Sequence, residues 1–175
     1  GHMAGIIEGH FSGKRDLEVL MSIEDEPLGT GGAVKKARPL IKSEVFMVMN
    51  GDSFCTMDMG GFLGFHQEKK AFVSIALVSP EKEADYGAVI IDDTGLVREF
   101  AEKTVSRGYI NAGVYIFGRD IFGTMPEEKN FSLEYDLFPK VLDKGVYGYV
   151  SGGGLFDIGT PERYERARKE LQGLL

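Results

Sequence analysis

Two acidic residues stand where a sheet would present them to a ligand. Val45-Phe46-Met47-Val48-Met49 is an unbroken apolar run that ends in Asn50-Gly51-Asp52, and the carboxyl end of a central strand is where open α/β sheets bind ligands. Asn-Gly-Asp is equally a common turn sequence, so the motif alone reads either way. The second acid lies in Phe156-Asp157-Ile158-Gly159-Thr160, just ahead of a helix, where local capping is the plainer role. Together they suggest more, because Mg²⁺ is commonly held by one or two carboxylates plus substrate phosphates. If Asp52 and Asp157 converge, phosphate chemistry follows; sequence spacing does not establish convergence.

Pro27-Leu28-Gly29-Thr30-Gly31-Gly32-Ala33 is a Gly-rich loop leading into a helix, a device that lets backbone N–H groups approach an anionic or polar ligand. Its spacing is not that of a dinucleotide fingerprint, and 9–14 falls one residue short of a Walker A loop. Glu102-Lys103 closes a predicted strand and reads as a solvated ion pair or, for Lys103, as a point charge for a sugar phosphate. Asn111 interrupts an apolar run, so its amide must find partners, as a ligand contact or as a satisfied core group. The histidines and Cys55 lack metal-ligand spacing.

The elements that must position these groups follow from apolar periodicity. Strands are predicted at 17–23, 45–49, 72–78, 88–91, 97–102, 110–117 and 147–150, and helices at 31–41, 61–70, 132–142 and 161–171. The last opens with Thr160 as cap, Pro161 in the first turn and Glu162. Asp92-Asp93-Thr94-Gly95 between two alternating runs predicts a hairpin. Helices alternating with short buried strands make an α/β fold with a mixed, mostly parallel sheet flanked by helices. Gly1-His2-Met3 reads as a tag remnant, leaving one domain over 4–175. A formal charge of −7 without a basic patch disfavours nucleic acid and anionic membranes. The absence of a long apolar run and the single cysteine fit a cytoplasmic protein.

Read in order, these pieces resemble the sugar-1-phosphate nucleotidyltransferase (NDP-sugar pyrophosphorylase) family, whose fold is A-type glycosyltransferase-like. The motifs are Glu26-Pro27-Leu28-Gly29-Thr30-Gly31-Gly32-Ala33, Asn50-Gly51-Asp52, Tyr86-Gly87, Phe100-Ala101-Glu102-Lys103, Asn111-Ala112-Gly113-Val114-Tyr115 and Phe156-Asp157-Ile158-Gly159-Thr160-Pro161-Glu162. The resemblance implies that Leu28, Gly29, Thr30, Gly31 and Gly32 contact the nucleotide. It implies that Asn50, Tyr86, Gly87, Glu102, Lys103 and Asn111 bind the sugar phosphate, and that Asp52 and Asp157 hold Mg²⁺. Asp52, Lys103 and Asp157 would then be the catalytic groups, promoting attack of the sugar phosphate on the α-phosphorus of an NTP with loss of pyrophosphate. Ser22 to Ala33 and Phe131-Ser132-Leu133-Glu134-Tyr135-Asp136 most resemble the members that act on D-glycero-D-manno-heptose 1-phosphate with GTP, with mannose-1-phosphate guanylyltransferases close behind. That subgroup supplies nucleotide sugars for lipopolysaccharide or S-layer glycans.

The family opens with a strand, a Gly-rich loop carrying an Arg, and a Pro-Lys segment, and nothing here matches them. The expectation is a fold lacking the first βαβ unit, with 4–11 resembling the end of the helix after the second family strand. It follows that this stretch alone is nearly inactive, and that unpaired strand edges invite a homodimer. Two other functions compete. A non-catalytic binding module suits the missing loop but not the retention of Asp52, Lys103 and Asp157. A glycosyltransferase consuming an NDP-sugar would usually carry Asp-x-Asp, and Asp52 is not followed by a second Asp two residues on.

Overall fold

The computed structural model describes residues 3–14, 17–80, 87–101 and 108–171. Four α-helices are described: α1 (Ala4–Phe11), α2 (Gly29–Ala37), α3 (Met59–Lys69) and α4 (Pro161–Leu171). The strands are β1 (Val45–Met49), β2 (Ser53–Cys55), β3 (Val73–Val78), β4 (Ala88–Ile91), β5 (Val97–Ala101), β6 (Tyr109–Gly118), β7 (Val146–Val150) and β8 (Leu155–Asp157). No described helix is long and apolar enough to cross a membrane.

The main sheet runs β5-β4-β6-β3-β7. The long β6 carries β4 beside its first residues and β1 beside its last, on the edge opposite β3. The α/β class and the mixed sheet are as expected, but the balance of directions differs. Among the described strands only β3 and β7 pair in parallel, whereas β1, β3 and β4 all run antiparallel to β6, and β4 to β5. The reason is local. β4 and β5 are joined by the short Asp92 turn, and a tight turn can only reverse the chain. There Asp92 Oδ1 accepts from Thr94 N at 2.8 Å, Thr94 Oγ1 at 2.6 Å and Leu96 N at 3.1 Å. With Arg98 added, these donors hold the Asp92 carboxyl down at about 2.

Both faces of the sheet are covered, which is why its inner strands β3 and β6 are mostly apolar and buried along their length instead of alternating. Val73, Ile75 and Leu77 of β3 join Tyr115, Phe117, Leu137 and Phe138 on one face. Ala76 and Val78 join Phe62, Ile110, Ala112, Val114 and Ile116 on the other. A second, two-stranded ribbon pairs β2 with β8, register Ser53 with Asp157.

Two further predictions need correction. Residues 17–23 form no strand; Leu17, Leu20 and Ile23 are exposed, and an apolar pattern without a ladder partner leaves no sheet to join. Residues 132–142 are helical but not α: a π turn, Leu133–Leu137, passes into a 3₁₀ helix, Phe138–Lys144. Ser132 caps the turn, its Oγ accepting from Glu134 N and Tyr135 N, while Asp136 Oδ2 accepts from Ser132 N at 2.7 Å. That return bond comes from the fourth residue, one later than in an α-helical capping box, as a wider turn requires. Thr160 does cap α4, its Oγ1 accepting from Arg163 N at 3.3 Å.

Candidate active site

The two acids converge. β2 begins one residue after Asp52 and β8 ends on Asp157, so antiparallel pairing draws their backbones together, and Ile158 N donates to Asp52 O at 2.8 Å. A Cβ built on Gly159 would lie 3.1 Å from Asp157 Oδ1 and 3.7 Å from Asp52 Oδ2. Both carboxylates therefore flank one small space beside a residue with no side chain. Asp157 Oδ1 accepts from Gly159 N at 2.7 Å and Oδ2 pairs with Arg163 of α4. The donor set is two hard carboxylates, and among the described residues no group of three or more His, Cys, Asp or Glu could hold a metal. This suits a cation that completes its shell with phosphate oxygens and water, as Mg²⁺ does.

Asn50 continues the site from the end of β1. Its N–H donates to Gly113 O at 2.8 Å, and its side chain lies over Gly113, where a Cβ would come within 2.6 Å of Asn50 Nδ2. Gly113 also has φ +71°, a conformation costly for other L-residues. It sits in a bulge. Ile75 faces Tyr115 and Leu77 faces Asn111, so β6 spends two more residues than β3 over this interval. Bulges of this kind re-aim side chains beside functional sites. Here the result is that Asn111 Nδ2 reaches Tyr115 Oη at 3.0 Å, while Asn111 Oδ1 accepts from Gly113 N at 2.9 Å.

Gly87 is exposed and immediately precedes β4, whose first residue, Ala88, pairs with Ile110. It is thus brought to the strand that carries Asn111. Tyr86, Glu102 and Lys103 lie outside the described residues.

The Gly-rich loop is placed differently from what its glycines suggest. Gly31 N and Gly32 N both donate to Phe131 O, at 2.9 and 3.3 Å, so two of the free donors that open α2 are satisfied within the chain. A Cβ on Gly31 would run into the Phe131 ring, and one on Gly29, which has φ +69°, would fall 2.6 Å from Phe131 O. These glycines admit the 129–131 segment, and both Leu28 and Gly32 are buried. What the loop turns outward is Gly29 and Thr30.

Thr30 leads to a residue of the 131–136 motif, Glu134, to which the sequence reading gave no role of its own. Thr30 Oγ1 donates to Glu134 Oε2 at 2.7 Å and accepts from Leu133 N at 2.9 Å. Ser132 Oγ donates to the same oxygen at 2.7 Å, and Tyr115 Oη donates to Glu134 Oε1 at 2.8 Å. Burial and the Glu134 carboxylate push the Tyr115 phenol well above its ordinary range, keeping it a neutral donor. The available signal was Ser132 followed closely by acids, which marks a helix start; it gives no hint that Glu134 faces Thr30 across the fold.

The sequence profile of the family described as "Nucleotidyl transferase" matches residues 4–173. The chain is 39% identical to the D-glycero-alpha-D-manno-heptose 1-phosphate guanylyltransferase of Aneurinibacillus thermoaerophilus, over 98% of this chain and 76% of that protein. It is 34% identical to the mannose-1-phosphate guanylyltransferase of Mycobacterium tuberculosis, over 89% of this chain but only 45% of that one. Among solved structures, HddC from Yersinia pseudotuberculosis complexed with GMP-PN superposes with a TM-score of 0.82 at 32% identity, covering 97% of this chain and 75% of HddC.

Proposed function

The chain belongs to the nucleotidyl transferase family, and from that premise we propose that it serves the condensation of GTP with a manno-configured sugar 1-phosphate, heptose before mannose, giving a GDP-sugar and pyrophosphate. The observation that carries this reading is the meeting of Asp52 and Asp157 across β2 and β8, with Asn50, two residues before Asp52, bonded to the same Gly113 that donates to Asn111. A phosphate oxygen of the sugar phosphate forms the new bond to the α-phosphorus as the bond to the β-phosphate oxygen breaks, and pyrophosphate leaves with the electron pair. This asks the protein for alignment and charge stabilisation and needs no protein nucleophile. Asp52 and Asp157 would hold Mg²⁺, which supplies charge neutralisation at the phosphate oxygens. Asn111 and Gly87, with Asn50 and the neighbouring Tyr86 and Glu102, are assigned to the sugar, Lys103 to its phosphate, and the Leu28 to Gly32 loop to the guanosine. The relatives named above support the base and the sugar. The reaction is placed in the cytoplasm, where nucleoside triphosphates are supplied. A homodimer through the outer edge of β1 belongs to the same reading, since among the described residues β1 is paired on one side only and exposes Val45 and Met49.

The product carries both recognised halves, so it is the sharpest probe. Calorimetry with Mg²⁺ is expected to show GDP-mannose binding to this chain at least about tenfold more tightly than UDP-glucose or ADP-glucose, because a site matched to guanine leaves buried polar groups unpaired against other bases. Asp52→Asn and Asp157→Asn should abolish the Mg²⁺ dependence of that binding. Preference for UDP-glucose would overturn the substrate, and failure of every NDP-sugar to bind would overturn the activity.

A further inference from the structure

Glu134 accepts from three hydroxyls that reach it from separate segments: Thr30 of the Gly-rich loop, Ser132 of its own turn and Tyr115 of β6. The direction of each bond is fixed. Tyr115 Oη accepts from Asn111 Nδ2, so its one proton goes to Glu134. Thr30 Oγ1 accepts from Leu133 N, and Ser132 Oγ accepts from Glu134 N and Tyr135 N, so their protons also turn to Glu134. A carboxylate is the side chain that can receive three donors and offer none. The Asn111 amide is set in turn, because its oxygen is already taken by Gly113 N.

We propose that Glu134 is a positioning residue that couples the nucleotide loop to the sugar-binding strand, so that a base seated against Thr30 orients Asn111 through Tyr115 for the sugar, and the reverse. This rests on the assignment of guanosine to the loop and sugar to Asn111 given above. Coupling between two sites is a single free energy seen equally from either ligand. The route is one continuous set of hydrogen bonds: Asn111 Nδ2 to Tyr115 Oη, 3.0 Å; Tyr115 Oη to Glu134 Oε1, 2.8 Å; and Thr30 Oγ1 to Glu134 Oε2, 2.7 Å.

The test uses GMP and mannose 1-phosphate as separate half-ligands, with GMP affinity measured by calorimetry with and without saturating mannose 1-phosphate. In the unchanged chain the sugar phosphate should tighten GMP about fivefold or more, the lower end for coupled sites. Tyr115→Phe keeps the buried ring and breaks the route at one atom; it should return the ratio to about one while each ligand alone retains most of its affinity. Glu134→Gln has nearly the same shape but places an amide donor among hydroxyls already committed to donating, and it should lose the ratio too. A merely structural role would weaken both ligands equally and lower Tm while leaving the ratio intact. If both half-ligands bind the unchanged chain without coupling, or the ratio survives in Tyr115→Phe, this inference is wrong and the guanylyltransferase assignment stands. If neither binds, the assignment falls and takes the inference with it.

Discussion

His66 lies 5% exposed between α3 and β3, its Nδ1 2.9 Å from the hydroxyl of the fully buried Ser74. Burial lowers its pKa from 6.5, opposed by the charge of Asp120. The unfolded chain therefore binds the proton more readily than the fold does, and stability is full above the unfolded value and declines as pH falls through 6.5 toward the lower folded value. Urea midpoints should drop between pH 7.5 and pH 5.5, and His66→Gln should flatten that slope. An unchanged slope in the variant would remove His66 as the cause. Asp92 does not confuse the window: its depressed carboxyl contributes stability above its ordinary 3.8 that is lost only as pH falls from there toward about 2. None of this was legible from residue type, because a histidine two positions beyond a glycine on a helix looks the same whether it faces water or a strand.

At the scale of elements, the joint between α2 and the 129–131 segment is where a small change should be felt most. Gly31→Ala would push a methyl into the Phe131 ring, which belongs to the main core cluster, while Phe131 O still has to accept from Gly31 N and Gly32 N. Overpacking of this kind costs about 1–3 kcal/mol. The expected outcome is a lower urea midpoint together with weaker GDP-mannose binding, since the loop carrying Thr30 is displaced; a neutral variant would show that the joint yields. What sequence reveals about elements tracks how far they announce themselves. β1 and the start of α4 were readable to the residue because an unbroken apolar run and a Thr-Pro-Glu cap are local signals. Residues 17–23 misled because an apolar run says nothing of a partner strand. β2 and β8, three residues each, are too short for any periodicity, yet their pairing is what brings Asp52 to Asp157. The order of the motifs pointed to the acids; only the fold could place them side by side, and only the fold reveals that Gly31 and Gly32 spend their N–H groups on Phe131.

For the whole molecule, the outer side of β1 is the feature with the largest consequence in solution. Val45 is 39% and Met49 56% exposed on a strand hydrogen-bonded to β6 alone among the described residues, and such an edge can template pairing with another chain. Light scattering should show concentration-dependent dimers, and Met49→Lys should shift the population to monomer while leaving the β6 pairing intact. A monodisperse monomer at high concentration would dispose of the dimer.

The β2 and β8 ribbon also sets a calendar. Asp52 is made early and Asp157 near the end of the described chain, with almost all of the main sheet synthesised between them. Pairs so distant in sequence close late, after the chain entropy of the intervening segment has been overcome by other contacts. A nascent chain that has already formed β3, β4 and β6 still holds only half of its carboxylate pair. On the proposed reading, competence to grip a charged nucleotide therefore waits for β8, and a chain that stopped short of it would be folded in its centre yet lack the pair.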